Sequence, residues 1–380
     1  MLSRRRQLAV KIEAEEGVAE AVSADDAKLL VYDPKAGFDV EMFERNPARR
    51  SFSPLGKIPG KRPANLSYRL ELRGSGSINT LPEWAKVFAA SGLEANDLKS
   101  MGIGVVTGGP FLHTEFITGG TSAATGLVVI KTPNGSPVIY FIPVTGIFQS
   151  GETITGSVSG ATSVISSAPV SAGFVLHPVS DEIPSVTQGL YEDGMRKLIK
   201  GSRGKAKINF KSGEPVMADF EFQGVEAGVT DEPMLESIAH ETAKPPVFLN
   251  ALFSVDGFSA RIEAMDLDLA NTLVSRDDVN DARGIFSFAI TGRNYQGSFN
   301  PEMVKAIEHD FHSKMFSGSE MAVDFTVGSV AGNRFRFYIP RAQYIKVEDE
   351  ERDGLQLAKC SFSLNGSLDP GDDELAILIL

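Results

Sequence analysis

The sequence predicts a mainly β protein with flanking helices, arranged as two tandem β units and a small inserted β-domain. Three observations carry this prediction. Residues 203–224, RGKAKINFKSGEPVMADFEFQG, alternate with period two on both sides of a turn. The order of strand and helix signals recurs along the chain, and one internal stretch sets short β-branched runs among Gly, Ser and Thr.

In the hairpin, Ala206, Ile208 and Phe210 share a face, as do Val216, Ala218, Phe220 and Phe222. The opposite face carries Lys205, Lys207, Asn209 and Lys211 on one strand and Asp219, Glu221 and Gln223 on the other. Opposed charges across strands stabilise a hairpin by about a few tenths of a kcal/mol per pair. Lys205, Lys207, Asp219 and Glu221 are therefore candidate contacts between strands or between subunits.

The repeat is read from six features in one order. Segments 29–45 and 248–264 each give a strand, a turn ending in Gly-Phe (Gly37-Phe38, Gly257-Phe258) and a second strand. A loop and a third strand follow, ending in Gly74 and Gly292. Two helices come next. The first has Thr80 and Glu83 at capping-box spacing and a stripe of Trp84, Val87 and Phe88; the second has Asn300 as cap, Pro301 behind it and a stripe of Val304, Ile307 and Phe311. The closing strands end in FEFQG (220–224) and FSLNG (362–366). The expected organisation is an arm over 1–26, a first unit from 27–100 and 190–230, a surface β-domain inserted at 105–170, and a second unit over 246–380. GGTSAATG and GSVSGATS stand near the two ends of the insertion. The third strand, with Ala64, Leu66, Tyr68, Leu70 and Leu72 against Asn65, Ser67, Arg69, Glu71 and Arg73, needs one packed face and one wet face.

Composition narrows the function. The chain has 380 residues and a net charge of −12, so it repels polyanions on average rather than gripping them. No apolar run approaches the roughly 20 residues of a membrane span, and the N-terminus has no stretch long enough for a secretory signal. The single cysteine, Cys360, shares an apolar face with Ala358, Phe362 and Leu364 and reads as a core residue. No phosphate-binding glycine loop, zinc-protease helix or catalytic constellation is present. His309 and His312 lack a third ligand, and the acidic stretches 347–354 and 369–374 read as solvated turns. No catalytic, cofactor-binding or metal residue is assigned, and no enzyme is expected.

Residues 189–224, GLYEDGMRKLIKGSRGKAKINFKSGEPVMADFEFQG, resemble the core of major tail tube proteins of long-tailed, siphovirus-type bacteriophages. The run from Tyr32 to Gly76 resembles their opening segment. The resemblance implies a fold of two tandem tail-tube-type domains, each a β-sandwich that contributes strands to a shared barrel. It implies a structural virion protein whose rings stack into a channel for DNA ejection. Most members place one such domain in a six-membered ring, so two domains per chain imply a homotrimeric pseudo-hexamer, with a homohexamer as the alternative. The implied partners are further copies, other tail proteins at the tube ends, and DNA that passes without specific binding; no membrane is involved. The implied place is the virion tail, after synthesis in the host cytoplasm. The competing readings are a tail terminator or decoration protein, or a carbohydrate-binding β-module. Segments 1–26, with Arg4, Arg5 and Arg6, and 46–63 are candidate ring-stacking segments, long, charged and poor in core residues.

Overall fold

The computed structural model describes residues 4–369 and 371–380. Residues 1–3 of the expected arm and residue 370 of the acidic 369–374 stretch lie outside it. The chain begins with β1 (Arg6–Ile12), a 3-10 turn (Ala24–Ala27), β2 (Val31–Phe38), the short β3 (Met42–Phe43) and β4 (Ile58–Pro59), β5 (Pro63–Glu71), α1 (Ala85–Ala89) and β6 (Leu93–Ile103). It continues through β7 (Phe116–Gly119), β8 (Thr125–Val128), β9 (Val138–Thr145), β10 (Thr153–Gly156), β11 (Thr162–Pro178), β12 (Val186–Glu192), β13 (Met195–Lys211) and β14 (Met217–Asp231). It ends with β15 (Ser254–Val255), β16 (Ile262–Asp277), β17 (Ile285–Pro301), α2 (Phe311–Ser317), β18 (Glu320–Val327), β19 (Phe335–Arg352), β20 (Leu355–Leu364) and β21 (Ala376–Ile379). The protein is mainly β, and its strands belong to one antiparallel network except for the β3–β4 pair.

The body of the molecule is an antiparallel sheet with the strand order β2–β5–β14–β13–β16–β17–β20–β19. Period-two alternation gives it one dry face. Leu66, Tyr68 and Leu70 of β5, Phe220 and Phe222 of β14, Ile208 and Phe210 of β13, Leu267 and Leu269 of β16, and Cys360 and Phe362 of β20 all join one apolar cluster. Helix α1 covers it: Phe88 packs edge-on against Phe220 at 5.0 Å, and the Trp84 indole donates to the Arg73 carbonyl at 2.6 Å. Tyr68 stacks on Phe220 at 5.7 Å, directly opposite it in the ladder. The third-strand alternation thus holds residue by residue, as does the apolar setting of Cys360.

Both helices are shorter than expected. Glu83 does not close a capping box with Thr80; it lies ahead of α1, which has no side-chain cap, and its N–H donates to the Glu241 carboxylate at 2.9 Å. The second helix does not start at Asn300. That residue lies in β17, where its side-chain oxygen accepts the N–H groups of Glu263 and Ala264 at 3.2 and 2.9 Å. Asp310 is the actual cap, accepting from Ser313 N–H at 2.9 Å, and Ile307 is 93% exposed while Phe311 is buried. Strand pairing outcompetes a marginal helix of this length. Segments 29–45 and 248–264 do not occupy like positions either: the first contains β2, the second a tight turn at Gly257 beside the two-residue β15.

Strands β6, β9, β8, β7, β10 and β11 pair in that order, and β11 pairs back to β6, closing a small barrel. Its interior is a separate apolar cluster that includes Ile117, Phe141 and Ile154. The two similar turns at its ends explain each other. Glu152 accepts from Thr121 N–H, Ser122 N–H and Ser122 Oγ at 3.0, 2.9 and 2.8 Å. Glu115 does the same for Val158 N–H, Ser159 N–H and Ser159 Oγ at 3.2, 2.9 and 2.9 Å. Each carboxylate thus satisfies the turn of the other hairpin. A Cβ on Gly119 would stand 2.7 Å from a Glu152 oxygen, and one on Gly156 2.7 Å from a Glu115 oxygen, so a side chain at either position would have to displace the carboxylate that locks the turn.

Burial pushes the Glu152 carboxyl up, but donors from Gln149, Ser122 and Thr121 outweigh it and hold the group at about 2. A carboxyl depressed below its ordinary 4.5 stabilises the fold above that pH and loses the contribution as pH falls toward 2. Glu152→Gln should therefore cost about 1–3 kcal/mol near neutrality, the cost of buried donors left facing an amide. In urea unfolding followed against pH, the gap between variant and parent should close on acidification; a gap independent of pH would contradict the charged state.

Candidate functional site

The 17-residue strand β13 is the hinge of the large sheet. Its first half pairs with β12, and its second half, Ala206–Lys211, pairs in unbroken register with Leu269–Ala264 of β16. This joint links two similarly wired sets of strands. In one, β2 pairs β5, β5 pairs β14 and β14 pairs β13; in the other, β16 pairs β17, β17 pairs β20 and β20 pairs β19. Two edges are left over. Among the described residues, β2 has a ladder only with β5, and the far half of β19 (345–352) only with β20. With an even number of antiparallel strands between them, these edges run in opposite directions, as β13 and β16 do.

The face opposite the core is mainly polar, and it holds the candidate contacts. Lys205 pairs with Glu221 at 2.8 Å across β13 and β14. Lys207 stands opposite Asp219 but turns to Asp266 of β16 at 3.0 Å, across the joint. The hydrogen bond to Asp266 raises the Lys207 ammonium above its ordinary range. Asp219 instead takes Arg69 of β5 at 2.8 Å and the Asn209 amide at 2.6 Å. Charge therefore alternates across successive strands, and Arg69 is neutralised by Asp219 on the neighbouring strand. Asp33, Lys35, Arg69, Lys207, Asp219 and Asp268 line a shallow depression on this face.

The N-terminal segment is not a free arm. Leu8, Ala9 and Val10 are buried in β1, which pairs with β12; three consecutive apolar residues after the arginines are the signal for it. Arg5 pairs with Asp193 at 2.9 Å and Arg6 with Glu192 at 3.3 Å, while Arg4 is exposed. Further on, Glu16 holds Arg203 and Arg276 at 2.7 and 2.8 Å and accepts from Ser287 at 2.7 Å. Burial works against its charge, but Arg203, Ser287 and Arg276 bring the carboxyl down to about 2. Residues 13–17 thus tie β13 to the β16–β17 hairpin. The second candidate segment projects as a finger: Met42 faces Pro59 and Phe43 faces Ile58, with Met42, Phe43, Phe52 and Ile58 exposed among Arg45, Arg49, Arg50 and Lys57.

The remaining polar groups are structural. His309 is buried against Phe258 at 4.7 Å and the Tyr344 hydroxyl at 3.1 Å, and burial pushes it down to about 4. Burial pushes the Cys360 thiol up to about 12. Within 369–374, Asp372, Asp373 and Glu374 are held in ion pairs rather than left as a solvated turn: Asp373 is buried against Arg341, and Arg293 holds both Asp372 and Glu374. These pairs anchor the loop leading to β21, which fits between β11 and β19. The terminal run AILIL is its readable signal. Residues 348–352 are likewise strand rather than turn.

The fold is thus a helix-covered antiparallel sheet with a wet polar face and, among the described residues, two edges without a further ladder. The sequence matches the family described as phage tail tube protein over residues 3–366, and the chain belongs to that family. It is a structural tail tube protein and a component of the virion tail. No curated protein matches the sequence significantly.

The joint separates two contributions. Lys207 and Asp266 are both partly exposed, so either alanine variant should cost at most about 1 kcal/mol. Leu267→Ala, in the core at the same joint, should cost about 2–5 kcal/mol. Urea denaturation of the three variants checks this, and equal losses would show that ion pairing rather than core packing holds the joint.

Proposed function

We propose that this chain is the major subunit of the tube, that it carries two tail-tube-type domains, and that three chains close a ring. The observation that carries the reading is the β13–β16 joint. Strand β19 stands to β20 and β17 as β13 stands to β14 and β5, and β2 stands to β5 as β16 stands to β17. The two unpaired edges are thus the two halves of a second joint, which a neighbouring copy completes by backbone pairing.

A single chain closing on itself does not serve. A barrel of about eight strands has only a side-chain-filled interior, and here that interior would be the charged face. Three copies give about 24 strands, which at about 4.8 Å spacing and the usual tilt make a cylinder roughly 45–50 Å across, wide enough for a DNA duplex. The inward charges would already be paired, Lys205 with Glu221, Lys207 with Asp266 and Arg69 with Asp219, leaving few free cations to hold phosphates. The rings stack through the finger at 39–62, whose exposed apolar and basic residues find cover on the next ring. The closed barrel of β6–β11 stands on the outer wall, since closure leaves it no edge to share.

Negative-stain electron microscopy of the purified chain should show hollow stacked rings. Successive residues of a strand turn their N–H groups to opposite edges, so one of Val347→Pro and Glu348→Pro must spare the β20 ladder while blunting the free edge. That variant should keep its melting temperature and remain a monomer. Deletion of 44–57 should leave rings that do not stack. A monodisperse compact particle from the parent chain under all conditions would overturn the reading.

A further inference from the structure

The edge offered by β2 is not as open as its counterpart. Along the internal joint, Ala264–Leu269 of β16 present an unbroken ladder to β13. On β2 the register with β5 breaks between Tyr32 and Lys35, where Asp33 takes a left-handed φ of +48° and Pro34 follows. Proline has no N–H to give. Its carbonyl is already occupied, accepting from the Arg6 guanidinium at 3.2 Å. Arg6 is held there by Glu192 at 3.3 Å and by the β1–β12 ladder, in which it stands opposite that same residue. Both backbone groups of Pro34 are therefore withdrawn from pairing, in the middle of the strand.

We infer that Arg6 and the Asp33–Pro34 bulge cap the β2 edge, so that a second copy docks its β19 edge only after Arg6 releases the Pro34 carbonyl. This rests on the ring reading above and names the step that restrains it. An uncapped edge of this length is a template for uncontrolled pairing. The cap keeps the free chain from templating, and an incoming strand that forms several backbone bonds at once displaces a single hydrogen bond. Leu8, Ala9 and Val10 anchor β1 independently, so loss of the guanidinium opens the edge without loosening the strand.

The test follows tube growth by light scattering for the parent chain, Arg6→Ala and Pro34→Val, at one protein and salt concentration, with melting temperatures as the folding control. Arg6→Ala should shorten the lag by roughly two- to ten-fold, the factor that one hydrogen bond is worth. Pro34→Val, which restores an N–H, should shorten it as well. Lags that are unchanged or longer in both folded variants would overturn the cap and leave the ring reading intact. Failure of all three chains to form tubes would overturn both.

Discussion

Backbone pairing between β13 and β16 is the interaction on which the rest of the molecule depends. It makes one sheet, and one apolar cluster, out of two sets of strands that would each be an open sheet with a bare edge on either side. Individual backbone hydrogen bonds contribute only about 1 kcal/mol net, so six opposed residues do not hold the halves together alone. What they do is fix the register. A slip of one residue would turn Leu267 and Leu269 to the wet face and Asp266 and Asp268 into the core, and that cost exceeds anything the ladder supplies. Pattern and pairing therefore enforce each other at the joint.

The same two-sidedness explains which parts were legible in the sequence. Alternation and turn chemistry are local, so β5, β13 and β14 could be read directly, and with them the placing of Lys205, Lys207, Asp219 and Glu221 on one polar face; which faces which is set by the register of the ladder. The third strand at each position is not local. That Lys207 turns to Asp266 and Asp219 to Arg69 depends on neighbours tens to hundreds of residues away. Long-range pairing also overrode the helix signals at 300–311: Asn300 and Pro301 have the right types for a helix start, but β16 claims that segment first. The N-terminal arginines misled in a related way. They suggested a solvated arm, while the apolar triplet behind them, too short to stand out, decided the conformation.

Charge follows the same logic. A net charge of −12 suggests a uniformly repulsive surface, yet on the polar face Lys205, Lys207 and Arg69 each have a carboxylate within reach. Exposed pairs of this kind add little stability. Their effect is on the field instead, since paired charges cancel within a Debye length of about 8–10 Å. The acidic excess lies partly elsewhere, in stretches such as 348–351 at the free end of β19.

The chain contains both answers to the problem of the exposed strand edge, and their placement is informative. The β6–β11 barrel closes on itself, and buried glutamates lock its two turns, so it has no edge to offer. The main sheet, built mostly from longer strands, stops short of closure. Its length is not the reason, because eight strands suffice for a small barrel. Its polar face is the reason: Lys205, Lys207, Asp219, Asp266 and Asp268 cannot share a dry interior. On the ring reading proposed above, its closing partner is a second copy of the chain, and the bulge at Pro34 lies on the edge which that copy meets.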